Sequence, residues 1–167
     1  MAIRGRIGGA IGGRDINCSL QGNSMRGRVG GGIFGWDIAL EMQGSVVQGR
    51  MGGFISGRDI VVTLRGNSLS GRIGGAIDGV DVQLSQSGSR ITGRCGGDIF
   101  GYDCNLSFDQ QQGQLVGRMG GDVFGKDVYL WLQPGVNPLL GALLAAAVFY
   151  YMEIQSRNSN NSSHSGR

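Results

Sequence analysis

Apolar residues alternate with small or polar residues along most of the chain, a two-residue period typical of β-strands. In one segment Leu69, Ile73 and Ile77 lie on a single face of the predicted strand. The phase shifts after Gly79, and the alternation then resumes at Val82. A tight hairpin turn produces such a shift, so the pattern predicts paired antiparallel strands.

A Gly-Arg dipeptide recurs six times, at spacings of 22 residues except the last, which is 24. An Asp follows each Arg by nine residues. The arginines are Arg6, Arg28, Arg50, Arg72, Arg94 and Arg118, and the aspartates are Asp15, Asp37, Asp59, Asp81, Asp103 and Asp127. Six hairpin repeats of this kind predict an all-β fold, a twelve-stranded antiparallel meander over residues 3–133 with strands of about nine residues.

Two-residue turns keep the apolar residues of neighbouring strands on one face. A turn at residues 12–13 places Ile11 opposite Arg14. A turn at residues 22–23 places Leu20 opposite Met25, so the apolar face is preserved in the next pair of strands as well. A β-solenoid with one coil per 22 residues is the rival architecture. Hairpins are favoured because both turns preserve the register of the apolar face.

A closed barrel removes the two free edges of a twelve-stranded meander. Twelve strands make a barrel too wide to be filled by its own wall. The segment 138–154 offers the filling, because it is apolar on all sides and Asn137 provides an N-cap before Pro138. We therefore expect a barrel closed around a C-terminal helix, with inner-face glycines leaving room for it. Residues 1–155 form one domain in this prediction, and residues 156–167 form a disordered polar tail.

The predicted arrangement resembles the tubby-like superfamily. That superfamily, with the phospholipid scramblases and the LURP-one-related proteins, has a twelve-stranded barrel around a hydrophobic helix. The resemblance covers residues 3–154 and concerns architecture, since the near-perfect repeats here differ from the irregular strands of those families. No functional residue is carried over. The resemblance implies binding to membrane lipids, because tubby-like domains bind phosphoinositide head groups through basic patches.

The repeated Arg and Asp residues occupy the polar face of the sheet. The predicted register places Arg28 diagonal to Asp15 of the preceding repeat, and barrel closure would pair Arg6 with Asp127. A ladder of surface ion pairs is the favoured interpretation, and an arginine belt for phosphate or nucleic acid is the alternative. Because each Arg has its own Asp, we expect no nucleic-acid partner.

Two further charged sets are candidate sites. The four cations without matched acids near the links between repeats could bind an anionic lipid head group, and they are Arg4, Arg26, Arg65 and Arg90. The predicted register also opposes like charges, which destabilise a sheet unless arginines or a bound cation such as calcium compensate. These acids are Asp98, Asp103, Asp122 and Asp127.

Aromatic residues gather near the acidic end, and they predict either a cap on the barrel or a contact with a membrane or partner. They are Phe34, Trp36, Phe100, Tyr102 and Phe124. The three cysteines, Cys18, Cys95 and Cys104, have no metal-ligand spacing and predict buried thiols in a reducing compartment.

The chain carries a net charge of +3 and a single histidine, His164 in the tail, so no histidine-based catalytic centre is expected in the folded part. We therefore expect no enzyme and no cofactor. The sequence predicts a cytoplasmic binding module for anionic phospholipid head groups or for a protein partner, with association to a membrane surface. The alternatives are a structural or assembly-forming repeat protein, and a barrel anchored in the membrane by residues 138–154.

Overall fold

The computed structural model describes residues 1–97, 99 and 101–162, and it contains twelve strands and one helix. The strands are β1 Ala2–Ile7, β2 Arg14–Gln21, β3 Ser24–Gly30, β4 Gly35–Gln43, β5 Val46–Met51, β6 Arg58–Arg65, β7 Ser68–Ile73, β8 Val80–Ser87, β9 Arg90–Cys95, β10 Tyr102–Asp109, β11 Gln114–Met119 and β12 Lys126–Leu132. The helix α1 is Pro138–Ser162. Each strand pairs with its sequence neighbours, and β1 pairs with β12, so the predicted closed antiparallel barrel is confirmed.

The register of the links between repeats agrees with the sequence prediction. Leu20 lies opposite Met25 across the tight turn at residues 22–23. The four later links fall at residues 44–45, 66–67, 88–89 and 110–113. These links and residues 133–137, which join β12 to the helix, form one end of the barrel, which we call the turn end.

The two-residue turns predicted within the repeats are wrong, in contrast to those between repeats. Ile7, not Ile11, lies opposite Arg14, and Arg6 lies opposite Asp15. The strands are therefore shorter than nine residues in all but one case, and each hairpin closes through a longer loop. The two registers differ by four residues, an even number, so the alternation of apolar residues is satisfied by both. The six loops form the opposite end, which we call the loop end, and their described residues are 8–13, 31–34, 52–57, 74–79, 96–97 with 99 and 101, and 120–125.

The helix α1 runs through the inside of the barrel. Every residue from 139 to 152 is buried, and α1 contacts β1 and each strand from β7 to β12. On the other side of the barrel the Tyr151 ring packs against Trp36 of β4, with 4.4 Å between ring centroids. The helix is long and apolar enough to cross a bilayer, but 78% of its most apolar 18-residue stretch is buried inside the protein. The barrel interior thus accounts for its apolar character.

The start of the helix follows from local chemistry, and its end differs from the prediction. Asn137 Oδ1 accepts a hydrogen bond from the Leu139 amide at 2.9 Å, which confirms the predicted N-cap. The predicted C-terminal boundary is wrong, because the helix continues from residue 154 to Ser162 and residues 155–162 are exposed and helical. This segment contains no Pro or Gly, and propagating an existing helix costs little. The rest of the predicted tail, residues 163–167 with His164, lies outside the described residues.

The glycines of the Gly-Arg dipeptides allow neighbouring strands to approach closely. A Cβ at Gly49 would lie 2.0 Å from the carbonyl oxygen of Ala39 and 2.8 Å from the Cα of Leu40, both in the neighbouring strand. The other five would also lie within 2.5 Å of a neighbouring strand's carbonyl oxygen, at Gly5, Gly27, Gly71, Gly93 and Gly117. Glycine in a strand interior marks such close backbone approach and the bends that close a barrel.

The three cysteines are free and buried in the barrel core. Burial raises the pKa of each thiol from 9.0 to about 12. The predicted buried thiols are therefore present, and each stays protonated near neutral pH.

Candidate functional site at the loop end

The four arginines predicted to bind an anionic head group do not converge. They lie exposed on four separate strands, β1, β3, β6 and β9, with at least one strand between any two of them. Arg26 has a matched acid after all, since its Nη2 lies 2.6 Å from Glu41 Oε1, and Arg90 Nη2 donates to Asn105 Oδ1 at 2.8 Å. The other two, Arg4 on β1 and Arg65 on β6, also lie apart, so the four arginines do not form one site.

The predicted opposition of acids is wrong as well. Asp103 faces Arg94, and Asp127 faces Arg118, each at 2.6 Å between Nη1 and Oδ1. Asp122 lies in the sixth loop, and Asp98 lies outside the described residues. Among the residues that the structure does describe, no three His, Cys, Asp or Glu side chains lie close enough to hold a metal ion.

Each repeated Arg pairs with the Asp of its own hairpin rather than with that of the preceding one. The Nη1–Oδ1 distances are 2.5 to 2.7 Å. The same guanidinium also reaches into its loop, and Arg50 donates to the carbonyl oxygens of Gly53, Phe54 and Gly57. Because each of these arginines binds both an Asp of its hairpin and carbonyl oxygens of its loop, it holds the loop in place against the strands.

The fixed loops display large apolar side chains to solvent. Among the described residues, nine of these side chains are between 81% and 100% exposed, and we call them the apolar crown: Ile11, Ile33, Phe34, Phe54, Ile55, Ile77, Ile99, Val123 and Phe124. Every one of the six loops contributes to it. Of the aromatic residues predicted to gather here, Phe34 and Phe124 belong to the crown, Trp36 and Tyr102 turn inward, and Phe100 lies outside the described residues.

A ring of inward-facing side chains surrounds the helix where it leaves the barrel. Its members are the first residues of β2, β6, β8, β10 and β12 and the second residue of β4, and each of them lies opposite a fully buried residue. The six members are Arg14, Trp36, Arg58, Val80, Tyr102 and Lys126. We call this ring the mouth. Three of its six members are cations, so the mouth adds positive charge inside the crown.

The cations of the mouth are only partly satisfied. The Arg14 guanidinium lies 5.5 Å from the centre of the Trp36 ring and donates to the Gly13 carbonyl at 3.2 Å. Arg58 Nη2 lies 3.2 Å from Asp78 Oδ2. The Nε atoms of Arg14 and Arg58 are buried and, within the described part of the chain, have no hydrogen-bond partner.

A pocket of about 520 Å³ lies between the helix and the fifth and sixth loops. Tyr102 and Phe149, whose ring centroids are 4.6 Å apart, line it, together with Ile99 and Phe124 of the crown. Arg157, on the exposed part of the helix, also borders it. The helix therefore emerges from the mouth beside these two loops.

Comparison with protein-family models, with curated proteins and with solved structures finds no match for this chain. The resemblance to the tubby-like superfamily therefore stays a prediction from architecture. In chemical terms the loop end combines exposed apolar groups with cations, a combination suited to binding an amphipathic surface. The sequence could have revealed the crown only if residues such as Ile11 and Ile33 had been assigned to loops, whereas the alternation assigns them to the apolar face of strands.

Proposed function

We propose that this protein is a non-enzymatic module that attaches to the surface of an anionic phospholipid bilayer through its loop end. The observation that carries the proposal is the apolar crown, nine large side chains exposed at one end of a barrel. Soluble proteins rarely expose apolar groups in such concentration unless they meet a membrane or a partner there.

A bilayer suits the shape of the crown. Side chains that are 81–100% exposed do not pack on each other, so the crown consists of separate protruding tips. Such tips can enter the boundary between head groups and acyl chains, as the apolar faces of interfacial helices do. Fully burying one Ile or Phe contributes about 1.5–3 kcal/mol, so partial insertion of several tips is enough for reversible binding.

The charge distribution favours anionic lipids. The mouth places Arg14, Arg58 and Lys126 just inside the crown, close to a bilayer that the crown would meet. Each cation near an anionic membrane surface contributes about 1 kcal/mol. The outer wall of the barrel, by contrast, carries the repeated Arg–Asp pairs, a surface suited to water.

Vesicle flotation with the full-length protein tests this proposal. We expect binding to phosphatidylcholine vesicles that contain phosphatidylserine, and weaker binding to phosphatidylcholine alone. Changing Arg4, Arg26, Arg65 and Arg90 to Ala should leave binding within about threefold at physiological salt, because these residues lie away from the loop end and salt screens exposed charges at a distance. Failure to float with either vesicle would overturn the proposal and favour a protein partner. Loss of binding in the four-arginine variant would place the contact on the barrel wall instead.

A further inference from the structure

The six loops fall into two chemically different groups. The central residues of the first three loops read GAIG, GGIF and GFIS, and those of the last three read GAID, GDIF and GDVF. The first group contains no acid, whereas each loop of the second group contains one Asp. Both groups contribute to the apolar crown, with Ile11, Ile33, Phe34, Phe54 and Ile55 in the first and Ile77, Ile99, Val123 and Phe124 in the second.

Cations strengthen this asymmetry. Arg14 follows the first loop and Arg58 follows the third. Lys126 follows the sixth loop, but its side chain lies on the border with the first, since a Cβ built on Gly8 would lie 3.5 Å from Lys126 Cδ. Within the described residues Arg14 and Lys126 form no ion pair, while Arg58 is paired with Asp78 of the fourth loop. The side of the loop end that begins at Lys126 and runs through the first three loops is thus apolar and cationic.

The polar end of the helix lies on the other side. Glu153, Ile154 and Arg157 border the pocket formed with the fifth and sixth loops. The exposed residues 155–162 continue from this point and are all polar. A barrel that met a bilayer squarely would push this polar segment and the acidic loops into the head-group layer, where carboxylates are costly to desolvate and are repelled by anionic lipids.

We infer that the barrel docks on an anionic bilayer in a tilted orientation, with the first three loops inserted and the fourth to sixth loops turned away. The inference rests on the proposed function and deepens it, since it assigns the contact to one half of the crown. It requires that equivalent apolar residues in the two halves contribute unequally to binding.

The repeats supply a matched pair of variants for the test. Ile33 and Phe34 of the second loop are 88% and 83% exposed, and Val123 and Phe124 occupy the equivalent positions in the sixth loop at 81% and 85%. We would compare Ile33→Ser/Phe34→Ser with Val123→Ser/Phe124→Ser in flotation with vesicles of phosphatidylcholine and phosphatidylserine. All four side chains are exposed, so both variants should retain the thermal midpoint of the unmodified protein within a few degrees.

The inference predicts that the second-loop variant binds at least about tenfold more weakly, which corresponds to about 1.4 kcal/mol, and that the sixth-loop variant changes by less than about threefold. Equal weakening by both would overturn the tilted orientation and leave the proposed function intact. If neither variant weakens binding, the crown is not the contact, and both proposals fail. Absence of binding by the unmodified protein would also overturn both.

Discussion

Replacing Gly49 by Ala should destabilise the barrel strongly, because the new methyl group would collide with backbone. Its Cβ would lie 2.0 Å from the Ala39 carbonyl oxygen, where ordinary van der Waals contacts begin at 3.4 Å. Rotating a side chain cannot relieve this overlap, so β5 must move away from β4. We expect a loss of about 3 kcal/mol, from overpacking worth about 1–3 kcal/mol and from weakened ladder hydrogen bonds worth about 0.5–1.5 kcal/mol each.

Gly53→Ala provides the matched control. Gly53 lies in the third loop, has no atom within 4 Å of a Cβ built on it, and does not have a positive φ. This change should leave stability unaltered or raise it by up to about 1 kcal/mol. In a domain of this size about 3 kcal/mol lowers the thermal midpoint by about 6–12 °C. Circular dichroism melts that place the two variants within about 1 °C of each other would refute the close strand approach.

Three other changes test the rest of the framework. Asp59→Asn should cost about 0–1 kcal/mol in a denaturant titration, whereas Arg50→Met, which also removes the loop hydrogen bonds, should cost about 1–2 kcal/mol; equal costs would contradict the loop-fixing role. Leu143→Ala should cost about 2–5 kcal/mol, since this helix residue is 0% exposed, and a cost under about 1 kcal/mol would contradict burial in the barrel. The three cysteines have folded-state pKa values of about 12 against 9.0 unfolded, so they should resist alkylation at pH 8, and stability should fall as the pH rises from about 9 towards 12.

Much of the fold could be predicted because the alternation leaves few options. The tight turn predicted at residues 22–23 puts Leu20 opposite Met25 on the buried face, and the observed register matches that expectation. The even strand number and the apolar segment after Pro138 together predicted closure around a helix. In each case the need to bury a large apolar surface restricted the possible arrangements.

The hairpin register could not be predicted in the same way. Ile7 and Ile11 have the same parity, so a shift of four residues leaves every apolar residue on the inner face. What separates the registers is the direct pairing of Arg6 with Asp15 and the positive φ of Gly8. These are features of local geometry that the pattern of apolar residues does not encode.

The candidate site could be predicted only in part, for the same reason. The sequence placed Phe34 and Phe124 at this end as a cap or a contact, but it assigned Ile11 and its counterparts to the apolar face of strands. The inward direction of Arg14 and Arg58 likewise depends on the observed register. A site built from such loops can be recognised only when the ends of the strands are known.

Hydrogen–deuterium exchange of the unmodified protein, with and without vesicles containing phosphatidylserine, tests the central claim most directly. The account predicts slower amide exchange in the loop end, above all at residues 8–13, 31–34 and 52–57, when vesicles are present. The tight turns at residues 22–23, 44–45 and 66–67, at the far end of the same strands, should exchange unchanged. Protection at those turns, or along the barrel wall without the loops, would contradict attachment through the apolar crown.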